Sequence, residues 1–350
     1  MNKKECSPSF DDILDRYNLK GASVCRVEEG LINKTFRVHC PSGRIYILQK
    51  VNPVFPLSVN RNIDFVTQHL LRQGMLSPAI LRTLDDSTEV TAEDGVWRML
   101  TYIDGVSEAT LSCQRGAFEA GRLVSSFHSA LVDPPAGLDF HDLHLLDMAY
   151  HTEQLLSCEA ELRRHRRYDY LAPLVESLLE YVRHSERLPD LSHRICHGDL
   201  KISNVIFDKT TYRALCLIDL DTIGPNLLPL ELGDAMRSWC NPVGEDLNEA
   251  QFDTQIFAAA IDGYASVGRD FIEDVERASI ATGIENVCLT LALRFCVDAV
   301  REDYFGWDNA RFSSHSEHSQ VRSESQLSLF QSVRSIRSEL ERVVERAFLV

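Results

Sequence analysis

The feature that most limits the fold of this chain is a change of sequence pattern near residue 104. Before it, short apolar and β-branched runs bounded by turn residues predict strands. After it, apolar residues recur mainly at helical spacing. We therefore predict an α+β chain in which a small β-rich lobe, residues 1–102, precedes a larger α-helical lobe, residues 103–350.

The expected elements follow from these two patterns. In the first lobe we predict helices at 11–20 and 58–73, and strands at 23–29, 34–40, 44–51, 79–84, 88–93 and 96–102. In the second lobe we predict short strands and loops over 194–220, and helices at 113–131, 145–163, 171–187, 247–266, 271–281 and 283–301. Asp94-Gly95 predicts a tight hairpin turn. The stretch 308–326, rich in Ser, His and Glu, predicts an exposed loop before an amphipathic closing helix.

The net charge of the chain limits the classes of partner that it is expected to bind. Its 52 acidic and 36 basic side chains give a net charge of −16 over 350 residues. A chain this acidic repels nucleic acid and anionic membranes, so we expect neither as a partner. The ten cysteines form no CxxC pair, and no apolar leader follows the first residues. Because no run approaches the ~18 apolar residues of a membrane helix, we expect a cytoplasmic protein with reduced thiols.

The strongest chemical signal is the segment His197–Asn204, followed by Asp219 at the end of an apolar run. Phosphoryl transfer needs an acceptor hydroxyl held in line and cations on the phosphate oxygens. A loop carboxylate, Asp199, can accept the hydroxyl proton, and Lys201 can meet the transferring phosphate. The oxygen atoms of Asn204 and Asp219 suit Mg²⁺. A polar turn between strands would explain the loop, but not the carboxylate after the apolar run.

This order of residues resembles the catalytic loop of protein kinases, with Gly198 in the place of the usual arginine. That replacement is typical of the aminoglycoside phosphotransferase and choline kinase group. The resemblance implies a two-lobed protein-kinase-like fold that uses ATP and Mg²⁺. It implies that the first lobe binds the nucleotide, whereas the second binds the acceptor and carries catalysis. His197 and Asp234 are expected to support the loop rather than to react.

The same resemblance assigns nucleotide contacts. The loop between the first two strands would cover the ATP phosphates with its backbone N–H groups, although by itself this segment fits an ordinary hairpin loop. The segment 97–105 resembles the hinge that holds the purine base. The predicted nucleotide contacts are Gly30, Asn33, Thr35, Gln49, Thr101 and Ile103.

The third strand departs from the family pattern. Alignment of its apolar residues puts Gln49 where a phosphate-binding lysine is expected, and strand alternation turns Lys50 to the opposite face. The helix at 58–73 offers Asn62 and Asp64, but no glutamate, as a partner. We expect an amide pair, or a cation supplied from elsewhere, to replace the usual lysine–glutamate ion pair.

The acceptor is indicated by a helix in the second lobe. Arg294, Asp298 and Arg301 are spaced i, i+4 and i+7, so they share one face. By spacing alone this face fits a solvent-exposed salt-bridge ladder. The chain is similar to the N-acetylhexosamine 1-kinases over 30–36, 46–52, 62–63, 139–142, 218–222 and 293–305. That similarity implies an amino sugar or another monosaccharide, phosphorylated at its anomeric hydroxyl and bound by Arg294, Arg301 and Tyr304.

Two other functions remain open. An aminoglycoside or choline-type kinase would suit an acidic chain. A catalytically inactive, nucleotide-binding regulatory protein would suit Gln49 at the lysine position, although the complete set Asp199, Asn204 and Asp219 argues against it. The pair His315 and His318 lacks further ligands, so no metal site is predicted there.

Overall fold

The computed structural model describes residues 10–27, 33–56, 58–141 and 144–349. The chain divides into two compact units, and each is described by itself. Unit 1 comprises Met1–Asp104 and Asp133–His141, and unit 2 comprises Gly105–Val132 and Asp142–Val350.

Unit 1 is built on one antiparallel sheet. Its strands are β1 (Ser23–Arg26), β2 (Lys34–His39), β3 (Ile45–Lys50), β4 (Ile80–Leu81), β5 (Val90–Ala92) and β6 (Gly95–Thr101). The strand order is β1-β2-β3-β6-β4, and β5 pairs with β6. Two helices accompany the sheet, α1 (Phe10–Asp15) and α2 (Ser58–Arg72). All of the elements predicted for this region are present, most of them shorter than expected.

The core of unit 1 lies between α1 and one face of the sheet. Leu14 of α1 belongs to a buried cluster with Leu48 of β3 and Met99 of β6. Successive side chains along a strand point to opposite faces. Gln49 and Arg98, which are cross-strand partners, therefore lie on the face away from α1.

The hairpin between β5 and β6 differs from the prediction by one residue. Ala92 pairs with Gly95, so the turn residues are Glu93 and Asp94 rather than Asp94-Gly95. Gly95 is the first residue of β6 and has a φ of 141°, a value that favours glycine.

Unit 2 is mainly helical. Its strands form two antiparallel pairs, β7 (His193–Cys196) with β10 (Gly224–Leu227), and β8 (Val205–Phe207) with β9 (Ala214–Leu217). Its helices are α3 (Gln114–Ala130), α4 (Met148–Ser157), α5 (Glu159–Leu162), α6 (Tyr168–Arg183), α7 (Leu228–Trp239), α8 (Thr254–Gly268), α9 (Asp274–Ala278), α10 (Ile280–Arg301), α11 (His315–Ser335) and α12 (Arg337–Phe348). The α+β prediction is confirmed.

Helix α10 is the central helix of unit 2. Within the described residues it alone is long and apolar enough, by length and composition, to cross a membrane. However, 89% of that apolar window is buried inside the structure. Core helices of globular proteins show the same property, so we assign α10 to the core.

The expectation of an exposed loop over 308–326 is wrong. From residue 315 this segment belongs to α11, and many of its small polar side chains are buried. Ser323 donates to the carbonyl of Ala292 on α10 over 2.8 Å, and Ser319 donates to Asp298. Because hydroxyl groups find acceptors on α10, a helix of low hydropathy forms part of the core.

Helix α7, which the sequence analysis did not predict, packs closely against α10. Gly233 of α7 and Gly283 of α10 leave room for this approach. A Cβ added at Gly283 would lie 2.0 Å from the carbonyl oxygen of Pro229, in the first turn of α7. The position of α7 therefore depends on these two glycines.

We expect Gly283→Ala to destabilise the protein, because its new methyl group would meet backbone atoms that cannot move independently. Overpacking of this kind costs roughly 1–3 kcal/mol of unfolding free energy. Urea and thermal unfolding measure the change. Asp262→Ala, at an exposed position of α8, is the control and should stay within about 0.5 kcal/mol of the wild type. Equal stability of the two variants would contradict the close helix contact.

Candidate active site

The predicted catalytic loop connects two strands of unit 2. It leaves β7 after Cys196 and reaches β8 through a 3₁₀ turn at Ile202–Asn204. β9 pairs with β8, and Asp219 follows the end of β9. The N–H of Ile218 donates to the carbonyl of Asn204 over 2.9 Å. The two predicted metal ligands therefore lie at the same end of this strand pair.

Asp199 is the centre of a polar cluster. The ammonium of Lys201 lies 2.6 Å from its Oδ2, and Nδ2 of Asn204 donates to the same oxygen over 3.1 Å. Because both contacts end on Oδ2, Oδ1 is the carboxylate oxygen that can accept a proton from a third group. The side chain is 23% exposed, so a small molecule can reach it.

The charges of this cluster shift its pKa values. Burial acts to raise the pKa of Asp199, but the ammonium of Lys201 more than offsets it, and the pKa is lowered. Burial acts to lower the pKa of Lys201, but the carboxylates of Asp199 and Asp219 raise it overall. At neutral pH, Asp199 is therefore ionised and Lys201 is protonated. The effect of Asp219 on Lys201 also means that its carboxylate lies near the cluster.

Asp219 has an unusual backbone conformation. Its φ of 64° and ψ of 56° place it in the left-handed region, directly before a 3₁₀ turn at Leu220–Thr222. Asp and Asn are among the few residues other than glycine that visit this region routinely. Sparsely populated conformations cost about 1–3 kcal/mol and are concentrated at functional sites. The backbone therefore marks Asp219 as a residue held in place by its surroundings.

His197 joins the catalytic loop to the segment that carries Asp219. Its Nε2 donates to the carbonyl of Ile218 over 2.9 Å, and Thr222 Oγ1 donates to the carbonyl of His197 over 2.9 Å. Gly198 has a φ of 81°, and a Cβ there would lie 2.5 Å from the carbonyl oxygen of Thr222. These contacts give His197 the supporting position that the sequence indicated, and they explain why glycine follows it.

Glu231 on α7 holds the loop through hydrogen bonds to the loop backbone. Its buried carboxylate accepts the N–H groups of His197 over 2.7 Å and Gly198 over 3.0 Å, and His128 Nε2 lies 3.4 Å away. Burial acts to raise the pKa of Glu231, but the hydrogen bond and charge of His128 lower it overall. No motif in the sequence indicated Glu231 as a functional residue. The available signal was an acidic residue among the apolar residues of the first turn, three positions before Asp234.

His128, Cys196 and Glu231 also lie close enough together to hold a metal ion, with ligand atoms within 4.8 Å of one another. However, His128 Nδ1 lies 2.9 Å from the hydroxyl of Tyr264, and Glu231 already accepts two backbone N–H groups. A structural zinc site needs four ligands. We therefore assign these side chains to support of the loop.

Three further side chains of α7 bind the loop backbone. Asp234 accepts the N–H of Leu200 over 2.8 Å, and the indole N–H of Trp239 donates to the carbonyl of Leu200 over 2.7 Å. Ser238 Oγ accepts the N–H of Ile202 over 3.1 Å. α7 therefore fixes the residues on both sides of Asp199 and Lys201.

Three of the predicted nucleotide contacts, Asn33, Thr35 and Gln49, lie near the β1–β2 loop and on β2 and β3. Gly30 falls outside the described residues. Asn33 is buried, and its Oδ1 accepts the N–H of Asn52 over 2.8 Å, which ties the end of the loop to the end of β3. Thr35 and Gln49 are cross-strand partners, and Gln49 Nε2 donates to Thr35 Oγ1 over 3.3 Å.

Lys50 lies on the α1 face of the sheet, as strand alternation predicts. Its ammonium lies 2.8 Å from Asp94 Oδ2 and 5.9 Å from the ring centre of Trp97. The register of β3 therefore places Gln49, and not Lys50, on the face opposite α1.

The expected α2 partners have other roles. Asn62 exchanges hydrogen bonds with the backbone of Asp139 over 2.8 and 3.0 Å, and Asp64 forms an ion pair with Arg82. Both of these candidates for the place of the usual glutamate are thus held by neighbouring segments. Asn60 instead reaches the middle of the sheet, where it accepts a hydrogen bond from an arginine of β6.

Thr101 and Ile103 lie at and beyond the end of β6. The N–H of Thr101 donates to the carbonyl of Ala79 over 2.9 Å, and its hydroxyl accepts the N–H of Ala79 over 2.9 Å. The N–H of Thr101 is thus engaged with the neighbouring segment. Ile103 is partly buried outside regular structure. Contact of these two residues with a base stays a prediction.

Two of the predicted acceptor residues lie together at the end of α10. The guanidinium of Arg294 lies 5.7 Å from the ring centre of Tyr304 and 5.4 Å from that of Phe305. It donates to the carbonyl of Leu145 over 3.2 Å. The side chain of Tyr304 is half exposed. Arg294 is thus a fixed cation beside an accessible aromatic ring.

Arg301 is directed toward α4 and α5. Its guanidinium donates to Gln154 Oε1 and Ser157 Oγ, both over 3.0 Å, and lies 3.6 Å from Glu161. An acceptor that used Arg301 would therefore have to compete with these bonds. Its role stays a prediction.

Comparison with known proteins identifies the fold. The chain matches the phosphotransferase enzyme family over residues 23–267. An aminoglycoside phosphotransferase from Alicyclobacillus acidocaldarius is 15% identical with a TM-score of 0.63, covering 96% of this chain and 98% of that chain. A microcompartment-associated aminopropanol kinase is 16% identical with a TM-score of 0.59, covering 97% and 98%. An amicoumacin kinase in complex with AMP-PNP and Ca²⁺ is 13% identical with a TM-score of 0.58, covering 87% of each chain.

These solved structures confirm the predicted two-lobed, protein-kinase-like fold. The family match extends over more than two thirds of the chain. It includes the Asp199 loop, Asp219 and the helix α7 that supports them. The chain therefore belongs to the phosphotransferase enzyme family.

Proposed function

We propose that this enzyme transfers the γ-phosphate of ATP to a hydroxyl group of a small molecule. The observation that carries the proposal is the cluster around Asp199, which combines a carboxylate, an ammonium and the amide of Asn204 in one supported loop. The AMP-PNP bound by the similar amicoumacin kinase supports ATP as the donor. In this proposal residues 1–102 bind the nucleotide, and residues 103–350 bind the acceptor and carry catalysis.

Asp199 acts as the general base. Its Oδ1 orients the acceptor hydroxyl and takes the proton as the hydroxyl oxygen bonds to the γ-phosphorus. The bond from the γ-phosphorus to the bridging oxygen breaks, and ADP leaves with the electron pair. The ammonium of Lys201 keeps Asp199 ionised and stabilises negative charge on the transferring phosphoryl group.

Asn204 and Asp219 fit a magnesium ion. Nδ2 of Asn204 donates to both the carbonyl and the carboxylate of Asp199, so its Oδ1 is directed away from that residue. Amide and carboxylate oxygens form the hard donor set that Mg²⁺ prefers. When bound, the ion neutralises charge on the phosphate oxygens.

For the acceptor, we propose an N-acetylhexosamine or a closely related monosaccharide. The similarity to N-acetylhexosamine 1-kinases supports this class, and Arg294 and Tyr304 offer donors and a ring for a sugar. Burial lowers the pKa of Arg294, and the charges of Asp234 and Arg237 also act on it. Arg294 therefore lies near the helix that supports the catalytic loop. A fixed cation there repels cationic acceptors.

An aminoglycoside or another cationic amine is the second candidate, and the acidic net charge of −16 favours it. An inactive regulatory protein is disfavoured because the structure assembles Asp199, Lys201 and Asn204 in one cluster.

The nine cysteines within the described residues are free thiols. A cytoplasmic location stays a prediction.

We expect Asp199→Asn to keep its fold and its affinity for ATP but to lose turnover by ~10²–10⁴-fold, the usual worth of a general base. A coupled assay of ADP release measures kcat, and thermal unfolding checks the fold. Asp262→Asn, at an exposed position of α8, is the matched control and should behave as the wild type. Wild-type kcat in Asp199→Asn would remove the general base from this position.

We expect Asp219→Ala to lose productive binding of magnesium and ATP, because it removes a carboxylate from the metal site. Asn204→Ala removes only a neutral oxygen, so its magnesium requirement should rise less. Titration of Mg²⁺ at fixed ATP measures both effects. If the magnesium dependence of Asp219→Ala matched the wild type, Asp219 would not be a ligand.

We expect N-acetylhexosamines to exceed choline and aminoglycosides in kcat/KM, since each buried polar group left unmatched by a wrong acceptor costs ~1–3 kcal/mol. An ADP-release screen over sugars, amino alcohols and aminoglycosides tests this, and NMR of the product locates the phosphate. Arg294→Met should raise KM for the sugar and leave KM for ATP nearly unchanged, and Arg301→Ala tests the second arginine. Arg163→Ala, at an exposed arginine, is the control. Strong activity on a cationic acceptor alone would exclude the sugar but keep the kinase.

A further inference from the structure

The segment that follows α10 exposes two aromatic side chains on a backbone held by buried groups. We name residues 304–308 the aromatic segment. The side chains of Tyr304 and Trp307 are 54% and 40% exposed. Phe305 between them packs on a buried cluster, with its ring centre 4.6 Å from that of Phe295 on α10. Phe305 thus anchors the segment to the core, whereas its two neighbours are open to a ligand.

A buried carboxylate of α10 holds the first half of the aromatic segment. Asp298 Oδ1 accepts the N–H groups of Tyr304 over 2.8 Å and Phe305 over 3.2 Å. Its Oδ2 faces α11, where Nε2 of His315 lies 2.7 Å away and Ser319 donates to it. The Asp298 side chain is only 2% exposed. One carboxylate therefore connects the aromatic segment with both α10 and α11.

Two side chains of α11 hold the second half. Arg322 Nη1 donates to the carbonyl of Gly306 over 2.9 Å, and His318 Nδ1 accepts the N–H of Asp308 over 3.1 Å. Burial lowers the pKa of His318, so at neutral pH its ring is uncharged and Nδ1 can accept. Both side chains also donate to Asp246 Oδ1, over 2.9 and 2.8 Å. Asp246 thus fixes the direction of both.

The aromatic segment begins beside the predicted acceptor cation. The guanidinium of Arg294 lies 5.7 Å from the ring centre of Tyr304 and 5.4 Å from that of Phe305. The charges of Arg237 and Asp234, on the helix that supports the catalytic loop, act on the pKa of Arg294, which burial lowers. A shift of the segment would therefore change the distance between ring and cation close to the catalytic loop.

We propose that Asp298 is a positioning residue for the acceptor, because its hydrogen bonds to the aromatic segment place Tyr304 against Arg294. This inference rests on the proposed kinase function and on the acceptor contacts proposed with it. His318 and Arg322 fix the second half of the segment in the same way. The histidines in the first turn of α11 thus serve the acceptor site through the backbone, without a metal ion.

The first test is the steady-state kinetics of Asp298→Ala, which removes the acceptor of two backbone N–H groups. ADP release is measured with N-acetylglucosamine, choline and kanamycin, one for each candidate class, and KM is compared for the compound that the wild type uses best. KM for this acceptor should rise roughly tenfold. Because the loss affects binding of the acceptor rather than the chemical step, kcat and KM for ATP should stay within about twofold of the wild type.

Two further variants separate positioning from general stability. Asp298→Asn keeps an oxygen that can accept both N–H groups, so KM for the acceptor should return to within about twofold of the wild type. Ser323→Ala removes a buried hydrogen bond from α11 to the carbonyl of Ala292 on α10, outside the aromatic segment. It is the matched control and should leave this KM unchanged. A purely structural role of Asp298 predicts lower thermal stability without a selective change in KM.

A tryptophan in the aromatic segment reports its position directly. The other two tryptophans of the chain, Trp97 and Trp239, are 4% and 1% exposed, so acrylamide quenches mainly Trp307. Quenching should increase in Asp298→Ala and stay at the wild-type level in Asp298→Asn and Ser323→Ala. This readout requires no acceptor.

His318→Phe decides the question if Asp298→Ala does not fold. The new ring can keep the stacking on Phe312, whose ring centre lies 4.0 Å from that of His318. It removes the acceptor of the Asp308 N–H, so KM for the acceptor should rise at least about threefold, the worth of one hydrogen bond. Thermal unfolding checks that the variant is folded.

The outcomes distinguish the two proposals. If the wild type turns over none of the three acceptors, the proposed function fails and the positioning role fails with it. If the wild type is active but Asp298→Ala and His318→Phe keep its KM for the acceptor, only the positioning role fails. Equal losses in kcat and in KM for ATP would also overturn it. A selective rise in KM for the acceptor that Asp298→Asn reverses would confirm it.

Discussion

The candidate active site depends on the hydrogen bonds that the buried carboxylate of Glu231 accepts from the loop backbone. It accepts two consecutive backbone N–H groups, those of His197 and Gly198, directly before Asp199, the proposed general base. In a buried loop, unsatisfied N–H groups would cost free energy and the backbone would seek other partners. An ionised acceptor in a fixed helix therefore determines one loop conformation. The direction of Asp199 follows from that conformation.

This dependence extends into the helical core. Glu231 can hold the loop only if α7 is fixed, and α7 lies against α10 through the contact of Gly233 with Gly283. Backbone contacts between α7 and α10, and buried hydrogen bonds from α7 to the loop, thus connect the helical core with Asp199. Such contacts tolerate little displacement, because close-packed interiors transmit strain. The rigidity suits a reaction in which positioning and electrostatics provide most of the catalysis.

The local parts of the site were predictable from the sequence. Asp199, Lys201 and Asn204 lie within six residues, so their chemistry is visible in the order of the chain. Glu231 was not predictable in this way, because its partners lie more than thirty residues away and the contact depends on how α7 packs. The contact of Gln49 with Arg98 was not predictable for a similar reason, since it exists only in the register of two strands that are distant in sequence.

The secondary structure, like the site, was predictable from the sequence only in part. Strand and helix patterns with clear apolar periods predicted unit 1 and most helices of unit 2. They failed at α7 and in the first half of α11, where the buried serines Ser319 and Ser323 donate to residues of α10. Side-chain alternation along β3 was predicted correctly for Lys50, since a fully buried Leu48 fixes the faces of that strand. At α11, packing by hydrogen bonds thus replaces the apolar pattern from which hydropathy predicts a buried helix.

The left-handed backbone of Asp219 restricts which amino acids this position can accept over evolutionary time. Glycine would adopt the conformation freely but would bring no oxygen ligand. Glutamate would bring a carboxylate, but its longer side chain lacks the local hydrogen bonding that makes the left-handed region accessible to Asp and Asn. Asparagine fits the backbone and carries one less negative charge. Aspartate thus suits both the backbone conformation of this position and the ligand role proposed for it, and few other residues suit both.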